Sequence, residues 1–79
     1  MQKPHAGKID YENAFRGFHF PMSRSAIVNA GRDKGGLDRE VAIVFNALPN
    51  RKYTSLDDLK EAIRTVYRAS GVVDMDMPI

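Results

Sequence analysis

Few residues in this chain have the chemistry of a metal site. The 79-residue sequence has no cysteine and only two histidines, His5 and His19. They lie in different segments and form neither H-x-x-x-H nor H-E-x-x-H, the spacings that place two ligands on one helix face. We therefore predict no metal site and no cofactor, with His5 in a loose lead-in and His19 on the polar side of an extended segment.

Catalysis by a nucleophile or by paired carboxylates also lacks a suitable set of residues. Ser23 and Ser55 precede predicted helices as N-caps, and no G-x-S-x-G motif surrounds any serine. The pair Asp57 and Asp58 belongs to the start of a predicted helix, and the pair Asp74 and Asp76 lies near the end of the chain. A chain this short also has little room for a pocket of roughly a few hundred Å³. We predict no catalytic residues and no enzyme activity.

Cationic side chains are the first set of candidate binding residues. The chain has 12 Lys and Arg against 10 Asp and Glu, a formal net charge of +2, and its first half is mildly basic without a polybasic run. Contacts between such residues and phosphate groups would be weak and strongly salt-dependent. The candidate phosphate or nucleic-acid contacts are Arg24, Arg32, Lys34, Arg51 and Lys52. The alternative is that these charges are only solvated.

A helix-turn-helix interpretation of this basic region has two features against it. The glycine-rich loop at residues 31–36 is longer than the usual turn of about three to four residues. The helix after it is the most apolar segment of the chain, and its start places the single cation Arg39 between Asp38 and Glu40. A helix that reads base edges needs a polar face instead. The loop is not a phosphate-binding P-loop either, because Leu37 follows Gly36.

The last eight residues, 72–79, are a second candidate binding segment. Apolar and acidic residues alternate there, so an extended chain would place Val73, Met75 and Met77 on one side, with Ile79 following. Such a segment could add to the edge of a partner's sheet or lie in a partner's groove. The alternative is a frayed terminus.

One apolar stretch must organise the elements that position these residues. Within residues 40–48, Val41, Val44, Phe45 and Leu48 share one face of a helix. Other apolar residues cover much of the remaining surface, which is typical of a helix wrapped by its neighbours. We predict a central helix over residues 37–48.

Caps and hydrophobic periodicity predict three further helices around it. Asp10 is suited to cap the first, and Ser23 the second, over residues 24–30. The S-x-x-D sequence at residues 55–58 resembles a capping box and begins the last helix, over residues 56–69.

The predicted fold class is all-α, a compact single domain of about four short helices. Residues 20–23 and 53–55 each place an aromatic residue before a serine cap, so we expect these segments to run side by side as a small two-stranded bridge. Residues 1–9 are predicted to be a flexible lead-in, residues 10–71 the helical domain and residues 72–79 a tail. The predicted core residues are Phe15, Phe18, Phe20, Ile27, Val41, Val44, Phe45, Leu48, Tyr53, Leu59, Ile63 and Val66.

No stretch of the sequence predicts contact with a membrane. No run approaches the roughly 20 apolar residues that a span needs. The N-terminus lacks the apolar region of a secretory signal. We expect a cytoplasmic protein that does not contact a membrane.

Three local patterns together resemble a known family. They are Phe20-Pro21-x-Ser23 before the second helix, Leu48-Pro49-Asn50 after the central helix, and Tyr53-x-Ser55 before the last helix. Over residues 11–66 the chain resembles the small bacterial family known as domain of unknown function 2795. It departs from that family in its glycine-rich loop and in Leu56, where the family often has proline. The resemblance implies an all-α domain and brings no activity, ligand or catalytic residue.

Two functions are compatible with these observations. We expect a non-enzymatic protein-interaction or accessory module with an unknown protein partner. The alternative is a weak, sequence-independent nucleic-acid-binding protein that acts through phosphate contacts. An isolated exposed apolar patch would favour the first, and a basic face that joins Arg51 and Lys52 to Arg24 and Arg32 would favour the second.

Overall fold

Four α-helices and two short strands make up the computed structural model, which describes residues 3–79. This confirms the predicted all-α fold with one small bridge. Met1 and Gln2, the first residues of the predicted lead-in, lie outside the described residues. The elements are α1 (Lys8–Phe15), β1 (Met22–Ser23), α2 (Arg24–Lys34), α3 (Arg39–Ala47), β2 (Lys52–Tyr53) and α4 (Leu56–Ala69), followed by a 3-10 turn at Asp74–Asp76.

Helix α3 lies at the centre and contacts α1, α2 and α4. Asp38 is its N-cap, and the Asp38 side chain accepts a 2.8 Å hydrogen bond from the backbone N–H of Glu40. Val41, Val44 and Phe45 are buried. The expectation of a helix covered on nearly all sides is wrong, because Ile43 is 54% exposed. One face of α3 therefore remains at the surface.

Helix α2 is longer than predicted because Gly31 continues it instead of starting the loop. Gly31 is buried, and a Cβ atom there would lie 2.8 Å from Leu37 Cδ2. This glycine therefore permits close packing, and the helix ends instead at Gly35, whose φ of 73° lies in the left-handed region.

The predicted bridge is present between β1 and β2. The strands are antiparallel, with Met22 opposite Tyr53 and Ser23 opposite Lys52. Tyr53 is buried, and its hydroxyl donates a 2.6 Å hydrogen bond to the carbonyl of Pro49. This pairing places Lys52 opposite Ser23, the N-cap of α2.

The caps of α1 and α4 differ in how well they follow the sequence pattern. Ser55 caps α4 as predicted, since its hydroxyl accepts a 3.1 Å hydrogen bond from the N–H of Asp58. The prediction that Asp10 caps α1 is wrong by one turn. Gly7 is the N-cap, and Asp10 Oδ2 accepts a 2.7 Å hydrogen bond from the Gly7 N–H.

The core agrees with the predicted residues but extends further along the chain. Of the predicted residues, Phe15, Phe18, Phe20 and Val66 are only partly buried, and the others are buried. Beyond that set, the buried hydrophobic cluster also includes Ala6, Tyr11, Ala14, Ala62, Tyr67 and Val72. The core thus includes residues from both segments predicted to lie outside the helical domain, residues 1–9 and 72–79. The flexibility of these two segments stays a prediction. None of the helices described over residues 3–79 combines the length and apolarity that crossing a bilayer requires.

Candidate functional site

Arg24 and Arg32 line one surface groove of about 280 Å³, here called the α2 groove. Arginine, serine and asparagine supply its polar side chains, and no carboxylate lines it. Its lining residues are Arg24, Ser25, Val28, Asn29 and Arg32 from α2 and Asn46 from α3. Among residues 3–79, no Asp or Glu side chain lies within ion-pair distance of either arginine.

Helical spacing explains why these residues share one face. Relative to Arg24, Val28, Asn29 and Arg32 stand at i+4, i+5 and i+8, while Ile27 and Gly31 on another face of α2 are buried. Asn46 adds its side chain from α3, where its Nδ2 donates a 2.9 Å hydrogen bond to the Ala42 carbonyl.

Lys52 lies near the start of α2, at the Arg24 end of this groove. It pairs with Ser23 across the β1–β2 bridge, and Arg24 follows Ser23 directly as the first residue of α2. Lys52 is exposed. The bridge therefore brings the backbone of Lys52 close to that of Arg24, although the two cations are far apart in sequence.

Arg51 lies beside Lys52, but its charge is already paired. Its guanidinium makes two hydrogen bonds to the Asp58 carboxylate, of 3.0 and 3.1 Å, and its Cζ lies 4.1 Å from the centre of the Tyr53 ring. Asp58 also accepts a 3.0 Å hydrogen bond from the Thr54 N–H. The Arg51 hydrogen bonds, followed by the Thr54 bond, lower the pKa of Asp58 to about 2. Arg51 thus has less charge to offer a ligand than Arg24 or Arg32.

The structure places Lys34 away from the α2 groove. Its ammonium donates to the backbone carbonyls of Asn13, at 2.6 Å, of Ala14, at 3.1 Å, and of Arg16. These carbonyls are at the end of α1, where a cation suits the negative end of the helix dipole. Desolvation lowers the pKa of Lys34. This candidate contact holds α1 in place.

The four candidate partner-binding residues of the C-terminal segment separate into two pairs. Val73 is 59% exposed and Met75 is 94% exposed, whereas Met77 and Ile79 pack partly buried against the core. The segment is not extended throughout as expected, because the 3-10 turn at Asp74–Asp76 interrupts it. The first pair is therefore the more accessible to a partner.

A buried hydrogen-bond network around Glu40 was missed in the sequence. Glu40 is only 8% exposed, and Oε1 accepts a 2.8 Å bond from the His5 N–H. Oε2 accepts from the Ala6 N–H at 3.0 Å and from the Tyr67 hydroxyl at 2.9 Å. The hydroxyls of Tyr11 and Tyr67 are 2.6 Å apart. Because Tyr67 gives its one hydrogen to Glu40, Tyr11 is the donor to Tyr67.

This network is enclosed and has no exposed reactive group. Both tyrosines have no exposed surface, and burial raises the pKa of each hydroxyl well above its usual range. Three donors satisfy the carboxylate, so its charge is compensated inside the core. The network joins Tyr11 of α1, Glu40 of α3 and Tyr67 of α4, so it links three helices inside the core.

The histidines and carboxylates do not assemble into a metal site in the part of the chain that the structure describes. His5 and His19 are both exposed. His5 Nε2 lies 3.5 Å from Asp38 Oδ2, and Asp74 pairs with Arg68 Nε at 3.1 Å. These acidic side chains therefore make contacts within the chain instead of forming a ligand set.

Comparison with known proteins places this architecture in a family. A family model described as "Protein of unknown function (DUF2795)" matches residues 7–60, more than half of the chain. The chain belongs to the DUF2795 family. No curated protein matches the chain, and no solved structure does. In this DUF2795 member the whole α2 groove and Lys52 lie within the matched range, whereas Tyr67 and the C-terminal segment lie beyond it.

Proposed function

We propose that this chain is a non-enzymatic binding module that contacts nucleic acid through phosphate groups, weakly and without sequence preference. One observation carries this function: Arg24 and Arg32 share a groove that no carboxylate lines, and Lys52 lies near its Arg24 end. Guanidinium groups are well suited to phosphate because their planar donors match its oxygens. Arg51 lies beside Lys52, so the basic face expected of a nucleic-acid-binding protein is supported, with Arg51 partly neutralised by Asp58.

The other groove residues fit the same ligand. Ser25 and Asn29 carry neutral donors that can hydrogen-bond a phosphate oxygen without adding negative charge. With Arg24, Arg32 and Lys52 as three phosphate contacts, the binding constant should fall with salt with a log–log slope of about −2 to −3. Such a small number of contacts supports weak binding.

The surface of α3 gives little support to base-specific reading. Its exposed residues are Arg39, Ile43, Asn46 and Ala47. Ile43 and Ala47 have no hydrogen-bond donor, and Asn46 Nδ2 already donates to the Ala42 carbonyl, so Arg39 is the one long cationic side chain on this face. The helix-turn-helix alternative would place this helix in the major groove. Phosphate contact through α2 is therefore the better interpretation.

Support for a non-enzymatic role comes from Glu40 and the tyrosines. The most distinctive polar cluster in the core has almost no exposed surface, and its buried polar atoms are all hydrogen-bonded among the described residues. We place this module in the bacterial cytoplasm, where nucleic acid is accessible to a small basic protein.

An amide NMR titration with a random DNA duplex tests the proposed function. At low salt we expect shifts at Arg24, Asn29, Arg32 and Lys52 that disappear near physiological salt. Absence of shifts at low salt would overturn this function, because electrostatic attraction is strongest there. Shifts spread evenly over the other exposed cations would instead show non-specific attraction without a site.

Exposed Val73 and Met75 support a second function, an interaction module for a protein partner. Both are apolar residues in the segment after α4, and Met75 is nearly fully exposed. The test compares capture from a bacterial lysate by the wild-type chain and by a Val73→Ser, Met75→Ser variant. A partner retained by both baits would exclude this segment as the contact.

A further inference from the structure

We infer that the α2 groove prefers double-stranded over single-stranded nucleic acid. This inference rests on the proposed function and adds the class of ligand. It depends on two independent features of the structure, the position of the aromatic side chains and the length of the cationic face.

The described chain offers no aromatic platform beside the α2 groove. Tyr11, Tyr53 and Tyr67 have no exposed surface, and Phe45 is 1% exposed. The remaining phenylalanines, Phe15, Phe18 and Phe20, pack partly buried against the core, and no aromatic residue lines the groove. Proteins that bind single strands without sequence preference obtain much of their affinity from bases stacked on aromatic side chains. This groove cannot provide that contribution.

The spacing of the cations favours the denser charge of a duplex. Arg24 and Arg32 are eight residues apart on α2, which corresponds to about 12 Å along the helix axis. Over about 12 Å of axis a duplex presents about seven phosphates, and one strand alone presents about half as many. When phosphate contact supplies nearly all the binding energy, the ligand with the higher charge density binds more tightly.

The neutral polar side chains of the groove are better placed for the backbone of a nucleic acid than for its base edges. Ser25, Asn29 and Asn46 are short, and the Nδ2 of Asn46 already donates within α3. The longer side chains of the groove belong to Arg24 and Arg32, one at each end. Their guanidinium groups extend further towards the phosphate backbone than the short polar side chains between them. The geometry therefore points to backbone contact along a duplex.

Fluorescence anisotropy tests this inference on the full 79-residue chain. The probes are a labelled DNA duplex of about 16 base pairs and a labelled oligo-dT strand of the same length, at about 20 mM salt. We expect the duplex to bind at least about fivefold more tightly, with a salt slope of about −2 to −3. In an Arg24→Gln, Arg32→Gln variant the slope should fall by about two, since each lost phosphate contact removes about 0.9.

The outcomes separate this inference from the proposed function. Equal or tighter binding of the oligo-dT strand would overturn the duplex preference and leave phosphate binding intact. Tighter binding of the duplex with an unchanged slope in the variant would overturn the assignment to the α2 groove. Absence of binding to both probes would overturn the inference together with the proposed function.

Discussion

The hydroxyl of Tyr67 on α4 donates a 2.9 Å hydrogen bond to Glu40 Oε2 on α3 inside the core. The same carboxylate accepts the backbone N–H groups of His5 and Ala6. One acidic side chain thereby ties the last helix and the segment before α1 to the central helix. The core is closed around a compensated charge.

Replacement of Glu40 by alanine should destabilise the fold strongly. The change leaves the buried donors of Ala6 and Tyr67 without an acceptor, and each unsatisfied group costs about 1–3 kcal/mol. We expect a loss of about 3 kcal/mol in the free energy of unfolding, measured by urea denaturation. Glu12→Ala is the control, because Glu12 is exposed on α1 and should change stability by less than about 0.5 kcal/mol. A loss below about 1 kcal/mol for Glu40→Ala would show that the network is not needed.

Alkaline pH should destabilise the protein through Tyr11 and Tyr67. Burial raises the pKa of both hydroxyls in the folded state, whereas in the unfolded chain they ionise near pH 10. Their contribution to stability is therefore complete below about pH 10 and is lost as the pH rises further. Each tyrosine should reduce the free energy of unfolding by about 1.4 kcal/mol per pH unit. Denaturation measured between pH 9 and 11 should show that the free energy of unfolding falls less steeply with pH in Tyr67→Phe than in the wild type. An identical fall in both proteins would contradict this assignment.

The pKa of Asp58 should depend directly on Arg51. The bidentate pair holds the Asp58 pKa at about 2, against an ordinary value of 3.8. Its contribution to stability is present above the ordinary value and is lost as the pH falls towards 2. In Arg51→Gln, side-chain carboxyl NMR should show the Asp58 pKa returning most of the way to its ordinary value of 3.8. The Thr54 hydrogen bond should keep it slightly below that value. Arg39→Gln should leave it unchanged, and a pKa near 4 in the wild type would rule out the pair in solution.

Helix α4 shows how far local sequence can predict this fold. Its serine cap, its bounds and the burial of Leu59 and Ile63 all follow from residues in or directly before the helix, so periodicity and capping were sufficient. The same rules failed at Gly31, where the reason for a glycine is the side chain of Leu37 from another part of the chain. A glycine that permits close packing and a glycine that ends a helix look alike in sequence.

The sequence predicted which residues are candidates for the site, but not which of them lie together in the structure. The charges of Arg24, Arg32, Lys34 and Arg51 are visible in the sequence, but their partners are not. Lys34 binds carbonyls 18 to 21 residues away, and Arg51 is paired seven residues on. Glu40 was interpreted as a helix-start acid because its partners lie 27 to 35 residues distant. The sequence feature that indicates burial of Glu40 is its position directly before the apolar run at residues 41–45.

Shortening the side chain of Val72 should lower the free energy of unfolding, although Val72 lies after the last helix. Val72 is 3% exposed, and Val72→Ala removes buried methyl groups at a cost of about 1–2 kcal/mol. Met75→Ser is the matched control in the same segment, since Met75 is 94% exposed and should be neutral. Thermal unfolding of both variants measures the difference. Equal melting temperatures would place Val72 outside the core in solution.

The most direct test of nucleic-acid binding compares two variants of equal charge. Arg24→Gln, Arg32→Gln removes the two arginines of the α2 groove, and Arg16→Gln, Arg39→Gln removes two exposed arginines outside it. Affinity for a DNA duplex at low salt should fall about tenfold in the first variant and less than about threefold in the second. An equal loss in both would mean that net charge alone attracts DNA and that the α2 groove is not a binding site.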